Sequence, residues 1–378
     1  MSRGLGWLGI LRLGLVQAAL GSIVVLTTST LNRVMVVELL LPAMLPGALV
    51  ALHHLVQILR PRLGYGSDVG GRRAPWIIGG MAVLAAGGVL AALATAWMGE
   101  GPTWGKALAV FAFVLIGVGV GACGTSLLVL LAKRVDPERR AAAATTVWLM
   151  MILGFIVTAG AAGHFLDPFS PERLVAVVTT VAVIALGVTI LAVQGVEGAG
   201  VEAPDAAPAG QQGASAVEQT RFREALTQVW SESQARRFTV FVFVSMLAYS
   251  AQDLILEPYA GIVFGLTPGE STKLAGVQNG GVLLGMLLLA LLGSTAWGRR
   301  LGSLQTWTIL GCIGSALGLF VIAAGGTLGA AFPIQPAVFA LGLANGLFAV
   351  AAIGSMMGLV AAGRQRREGV RMGLWGAA

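Results

Sequence analysis

Long apolar stretches separated by short polar segments run along the whole chain. Stretches such as 77–97, 108–132 and 174–193 match the roughly 20 apolar residues that a helix needs to cross about 30 Å of hydrocarbon. The pattern predicts ten membrane-spanning helices. They lie near residues 9–31, 39–59, 76–97, 107–132, 143–163, 173–194, 238–258, 274–293, 303–324 and 336–362. We therefore expect an all-α polytopic membrane protein.

The composition agrees with this pattern. Hydrophobic residues make up 56% of the chain and charged residues 11%, whereas ordinary soluble domains are about 25% charged. The mean hydropathy is +0.85. A water-soluble protein with a single core cannot bury so much apolar sequence.

The net charge of +7 comes from basic residues that cluster in alternate loops. The loops after even-numbered spans hold Arg60, Arg62, Arg72, Arg73, Lys133, Arg134, Arg139, Arg140, Arg221, Arg223, Arg236, Arg237, Arg299, Arg300, Arg364, Arg366, Arg367 and Arg371. The opposite loops hold only Arg33, Lys106, Arg173 and Lys273. The positive-inside rule then places the amino terminus and the even loops in the cytoplasm. Topology explains the charge, so we expect no nucleic-acid partner.

A repeat relates the two parts of the chain. Gly71-Arg72-Arg73 follows span two and Gly298-Arg299-Arg300 follows span eight, as in transporters built from two six-helix halves. We predict an N-terminal half at 1–194, a cytoplasmic linker at 195–237 and a C-terminal half at 238–378. The C-terminal half has room for four spans and the start of a fifth. Either the protein has ten spans or the last two helices are absent from this chain, and we expect the second.

The linker combines two patterns. Its first part is rich in Gly, Ala and Pro and is typical of a flexible connection. Apolar residues then recur at helical spacing at Phe222, Leu226, Val229 and Trp230, which predicts an amphipathic helix. This helix would lie either on the membrane surface or on the cytoplasmic face of the protein itself.

The loop between spans two and three carries Gly64, Asp68, Gly71, Arg72 and Arg73 in the pattern G-x-x-x-D-x-x-G-R-R. It resembles the signature loop of the major facilitator superfamily. A carboxylate beside a helix amino terminus is stabilised by the helix dipole, and two arginines can bind neighbouring carboxylates. We expect this loop to act as a conformational latch between the halves. The resemblance implies that its aspartate faces the start of span eleven, near 372–375.

Polar residues gather near one end of spans one and seven. They are Asn32, Arg33, Gln252, Asp253 and Glu257. Counting about 1.5 Å per residue along span seven places its acidic residues toward the periplasmic side. We predict a periplasmic polar cluster that links the halves; the alternative is that each group is satisfied separately at the membrane interface. We expect no proton relay at the midplane.

Two adjacent histidines, His53 and His54, lie in span two. A neutral imidazole in apolar surroundings is a good axial ligand for a metal such as the magnesium of a chlorin. Adjacent side chains point about 100° apart on a helix, so only one of them could bind a given pigment. The alternative is a histidine satisfied within the membrane. Asn345, another polar residue within a span, is a further candidate pigment contact.

Several stretches together resemble the PucC/LhaA family. They are Leu13 to Gln17, Leu31 to Leu39, Arg60-Pro61, the loop from Ser67 to Ile77, and Gln252 to Gly261. The resemblance implies the bacteriochlorophyll-delivery branch of the major facilitator superfamily in purple phototrophic bacteria. It further implies twelve spans and a role in assembly of light-harvesting complexes.

We therefore expect an assembly factor in the photosynthetic intracytoplasmic membrane that binds bacteriochlorophyll as cargo or chaperones antenna subunits. Its partners would be antenna subunits or the reaction-centre core complex, a pigment-synthesis enzyme and membrane lipids. One alternative is a secondary transporter, proton-coupled or facilitative, for a small amphiphilic solute. Another is an adaptor that binds antenna subunits without pigment. We expect no enzyme, because the sequence offers no nucleophile with a base, phosphate loop or metal-ligand cluster.

Overall fold

The computed structural model describes residues 5–57, 72–99, 103–136, 139–196, 231–294 and 302–361. Within these ranges nine helices are long and apolar enough to cross a membrane, and the shorter apolar helix Met44–Val56 brings the number to ten. The same ranges contain no β-strand. The expectation of an all-α polytopic membrane protein is confirmed.

The helices are numbered in chain order. They are α1 (Trp7–Glu38), α2 (Met44–Val56), α3 (Ala74–Gly99), α4 (Thr103–Arg134), α5 (Arg140–Phe165), α6 (Pro171–Val193), α7 (Ser233–Phe264), α8 (Pro268–Ser294), α9 (Leu304–Gly325) and α10 (Ile334–Ala361). Two of them begin with a serine cap: Ser170 accepts from the backbone N–H of Arg173 at 3.2 Å, and Ser303 accepts from that of Thr306 at 3.2 Å. Such caps satisfy backbone donors that have no partner within the helix.

The predicted ends of spans one and seven are wrong. Helix α1 contains π-helical turns at Leu26–Thr30 and Val34–Glu38 and continues past residue 31 to Glu38. Helix α7 continues past Pro258 to Phe264. Arg33 therefore lies inside a helix and not in an external loop. Polar residues and a proline suggested helix ends in the sequence, but neighbouring helices can satisfy such groups inside a membrane.

The packing follows the same order in both parts of the chain. Helix α4 packs against α2 and α3, and α10 packs correspondingly against α8 and α9. Helix α1 packs against α5 and α6, around the buried side chains of Ile10, Leu13 and Ile23. Most of the predicted linker, including its amphipathic helix, lies outside the described residues.

Helices α5 and α8 pack directly against each other across the interface between the two parts. A Cβ atom added to Gly163 of α5 would lie 2.5 Å from the carbonyl oxygen of Gly269 and 3.0 Å from the backbone nitrogen of Lys273. Small residues allow this approach, as they do at many membrane helix interfaces. The interface leaves no room for a side chain at position 163.

We predict that Gly163→Ala lowers the thermal stability of the purified protein, with a cost of about 1–3 kcal/mol for overpacking. Gly160→Ala on the same helix is the matched control, because a Cβ atom there would meet nothing within 4 Å. Fluorescence-monitored thermal unfolding in mild detergent measures both. Equal unfolding temperatures for the two variants would show that α5 and α8 do not pack this closely.

Candidate functional site

A cavity of about 350 Å³ lies between the two parts of the molecule. Helices α1, α2 and α5 line one side, and α7, α8 and α10 line the other. Its volume falls within the range of about 300–1,000 Å³ typical of ligand pockets. Much of the wall is apolar or aromatic, with Trp148, Met151, Phe155, Met246, Met286 and Phe348 among its residues.

Both histidines of α2 line this cavity. The His53 side chain is 2% exposed, and its Nε2 atom lies 2.9 Å from Nε2 of Gln57, one turn later. The His54 side chain is exposed, and the two rings meet edge to face with centroids 4.7 Å apart. His54 is thus the better placed of the two to bind a ligand in the cavity.

The opposite wall supplies polar groups from three helices. Asp253 of α7 accepts a hydrogen bond from Gln278 of α8 at 3.3 Å. Asn345 of α10 accepts one from Ser315 of α9 at 2.7 Å. Asp253, Gln278 and Asn345 all line the cavity. The three candidate pigment contacts, His53, His54 and Asn345, therefore share one cavity, which their sequence positions could not reveal.

One end of the interface between the halves is closed by an inter-half polar cluster, formed by Ser29, Asn32, Arg33, Glu38 and Glu257; Ser29 and Glu257 also line the cavity. Ser29 donates to the Glu257 carboxylate, and the Arg33 guanidinium forms an ion pair with Glu38. Arg33 and Glu257 are each 2% exposed. The cluster thus joins two buried charged residues, one from α1 and one from α7.

Backbone carbonyls of the second half complete the cluster. Arg33 donates to the carbonyl oxygen of Leu266 at 2.5 Å, and Asn32 donates to that of Leu254 at 2.6 Å. These bonds tie α1 to α7 and to the connection that follows it. They favour a cluster that links the halves over the alternative, in which each polar group finds its own partner at the membrane interface, because Arg33 is buried.

Two predicted members take other positions. Asp253 lies on the cavity wall with Gln278, and Gln252 is buried beside it in the chain with an amide nitrogen that has no hydrogen-bond partner. The burial of Glu257 exceeds what we expected of a residue near the membrane surface. Its partner Ser29 lies in the first π-helical turn of α1, which the hydropathy pattern cannot show.

Further contacts at the same end were not predicted. Asp167, just after α5, accepts from the Thr267 hydroxyl at 2.9 Å and from the Gly269 backbone N–H at 3.2 Å. Thr30 and Thr272 share a hydrogen bond of 3.1 Å. An aspartate in a loop and two threonines in apolar spans carry no pairwise signal in a single sequence. Together these contacts close one end of the interface between the halves.

The signature loop falls largely outside the described residues. Gly64, Asp68 and Gly71 lie there, as does the segment 372–375 that Asp68 was expected to face. Arg72 is exposed and Arg73 is buried immediately before α3. The latch function of this loop stays a prediction.

We predict that Arg33→Leu destabilises the protein by about 3 kcal/mol, the lower end of the range for breaking a buried ion pair, because Glu38 is partly exposed. Both Glu38 and Glu257 would lose a neighbouring positive charge. Urea-induced or thermal unfolding in detergent, monitored by tryptophan fluorescence, measures the loss.

Arg139→Leu is the matched control for this prediction. Arg139 pairs with Asp136 on the surface, and such exposed pairs contribute about 1 kcal/mol at most. If both arginine variants unfolded alike, the polar cluster would not hold the two halves together.

Comparison with known proteins agrees with the fold and identifies relatives. A D-xylose–proton symporter superimposes with a TM-score of 0.69 at 13% identity, covering 97% of this chain and 87% of the symporter. The peptide transporter POT gives a TM-score of 0.68 at 14% identity, covering 99% and 87%. At such low identity these likenesses show a major facilitator fold and no more.

Two relatives in sequence come from Rhodobacter capsulatus. A Rhodobacter capsulatus protein named bacteriochlorophyll synthase 44.5 kDa chain is 57% identical over 378 residues, which is 99% of this chain and 84% of the relative. Protein PucC of the same organism is 30% identical over 97% of this chain and 79% of its own length. The family model described as PUCC protein matches residues 30–378. The chain belongs to the PucC family.

Proposed function

We propose that this chain is an assembly factor for photosynthetic light-harvesting complexes that holds bacteriochlorophyll in its central cavity. The observation that carries the proposal is the pairing of an apolar, aromatic cavity with the His54 imidazole on its wall. PucC relatives and a relative named after bacteriochlorophyll support a role in the formation of pigment complexes.

The cavity chemistry suits a tetrapyrrole. A flat apolar ring packs against aromatic and methionine side chains, and Trp148, Phe155 and Met151 supply such contacts on the α5 wall. The described residues contain no group of three or more His, Cys, Asp or Glu side chains that could hold a metal ion by themselves. A single histidine suits a magnesium that arrives already held by the four ring nitrogens and needs one axial ligand.

Handling of cargo also accounts for the facilitator fold. We propose that the chain is not an enzyme; the word synthase belongs to the name of the relative. The basic loops support an inner-membrane protein with a cytoplasmic amino terminus. Antenna subunits would be the recipients of the pigment, and the protein would bind or chaperone them within the same membrane.

A second candidate function is transport of a small amphiphilic solute coupled to protons. The observation that favours it is the pair of carboxyl groups on the cavity wall, Asp253 and Glu257, because ionisable groups within membrane spans are costly and commonly functional. Solute uptake into vesicles that is lost in Asp253→Asn would support transport.

We predict that the protein purified in mild detergent from a pigmented host carries bacteriochlorophyll at close to one molecule per chain. The His53→Ala/His54→Ala double variant should lose most of it, because the axial ligand is gone. Among single variants, His54→Ala should lose more pigment than His53→Ala. Absorption spectra and extraction of the pigment give the stoichiometry.

His164→Ala is the control, because His164 is an exposed histidine in the last turn of α5 and does not line the cavity. It should retain the pigment of the unmodified protein. A colourless unmodified protein would refute pigment binding and leave transport or an adaptor role. Pigment that stays bound in the double variant would refute a histidine ligand.

A further inference from the structure

Asn345 is held on an unusually close helix contact. It lies in α10 between Gly342 and Gly346, and a Cβ atom at either glycine would overlap backbone carbonyl oxygens of α8, those of Gln278 and Val282. The backbone of α10 is therefore pressed directly against α8 around this residue. This backbone contact fixes the position of the Asn345 Cα atom relative to α8.

The side chain itself is fixed by a second residue. Ser315 of α9 donates its hydroxyl hydrogen to Oδ1 of Asn345 at 2.7 Å. Ser315 is not among the residues that line the cavity, whereas Asn345 is. Because the oxygen and nitrogen of an amide lie on opposite sides of Cγ, binding of Oδ1 to α9 turns Nδ2 to the other side.

The amide nitrogen of Asn345 has no hydrogen-bond partner, although the residue is only 3% exposed. Most buried polar atoms in proteins do have a partner, so each exception requires an explanation. Gln252 also has an unpartnered amide nitrogen, but of these two residues it is Asn345 that lines the cavity. In Asn345, Oδ1 accepts a hydrogen bond from Ser315, Nδ2 has no partner, and the residue lines the cavity.

We propose that Asn345 Nδ2 donates a hydrogen bond to a carbonyl oxygen on the rim of the bound macrocycle, with Ser315 as the residue that positions the amide. The inference rests on the proposed pigment function and adds which part of the cargo is recognised. An amide N–H can only donate, so its complement is an acceptor, and we assign a conjugated ketone of the ring. The hydrocarbon tail offers none.

In this assignment each wall of the cavity binds a different part of the pigment. His54 on α2 binds the metal at the centre of the ring, and Asn345 on α10 binds an oxygen at its edge. A metal ligand alone does not distinguish among metallated tetrapyrroles. A donor at the rim selects those that carry a carbonyl group at the matching edge, because a buried donor left without a partner weakens binding.

The test compares bacteriochlorophyll with bacteriochlorophyll whose conjugated ketones have been reduced to alcohols, each added to pigment-free protein in detergent. Asn345→Leu should weaken binding of the ketone pigment by about 2- to 10-fold, as expected for one hydrogen bond. It should move the ketone stretching band in the resonance Raman spectrum to higher wavenumber. The two pigments should bind this variant with equal affinity.

Ser315→Ala provides a second variant that leaves Asn345 in place. In this variant the Asn345 amide is no longer oriented by a hydrogen bond. The ketone stretching band of the pigment should therefore broaden, and the affinity for the pigment should fall by less than in Asn345→Leu. Gln252→Leu is the control for loss of a buried amide outside the cavity, because Gln252 of α7 is not a lining residue and its amide nitrogen also has no hydrogen-bond partner. Its Raman band should match that of the unmodified protein.

The outcomes separate the two claims. If Asn345→Leu binds the ketone pigment with unchanged affinity and an unchanged Raman band, the role of Asn345 is wrong and pigment binding stands. If the unmodified protein binds neither pigment, the proposed function and this inference are both wrong.

Discussion

The structure depends on the ion pair and hydrogen bonds that a buried arginine makes between two groups of helices. Within a membrane no water is available to compensate a charge, so Arg33 must find its partners inside the protein. Glu38 supplies the opposite charge and the Leu266 carbonyl supplies an acceptor from the second half. Glu257, which accepts a hydrogen bond from Ser29, lies near the same positive charge. Because these partners come from both halves, satisfying Arg33 also closes one end of the interface and leaves the cavity beyond it.

The properties of the cavity follow from that arrangement. Close packing of α5 on α8 through Gly163 brings the two walls together on one side, and the polar cluster closes one end. Between them lies a space lined by aromatic and methionine side chains together with polar groups. The polar groups include two adjacent histidines on one wall and, on the other, the amide of Asn345 and the carboxyl group of Asp253. In the proposed function, a flat apolar ring would pack against the aromatic and methionine side chains of this space.

Much of the fold could be predicted from the sequence, because hydrophobic length is a property of each span by itself. The ends of α1 and α7 could not, since a buried Arg33 and an internal Pro258 look like the end of a span until their neighbours are known. The site was predictable only in part. His53, His54 and Asn345 stand out as polar residues in apolar helices, but their meeting in one cavity depends on tertiary packing. The role of Ser315 gave no signal, because a serine in a membrane helix is common.

The most direct test of pigment binding in the cavity is a structure of the protein purified from a bacteriochlorophyll-producing host, determined by electron cryo-microscopy. We expect density for a planar macrocycle between α2 and α10, with its centre next to the imidazole of His54. Density for the macrocycle on the lipid-facing surface, or a cavity that contains only detergent or lipid while pigment is bound elsewhere, would contradict it.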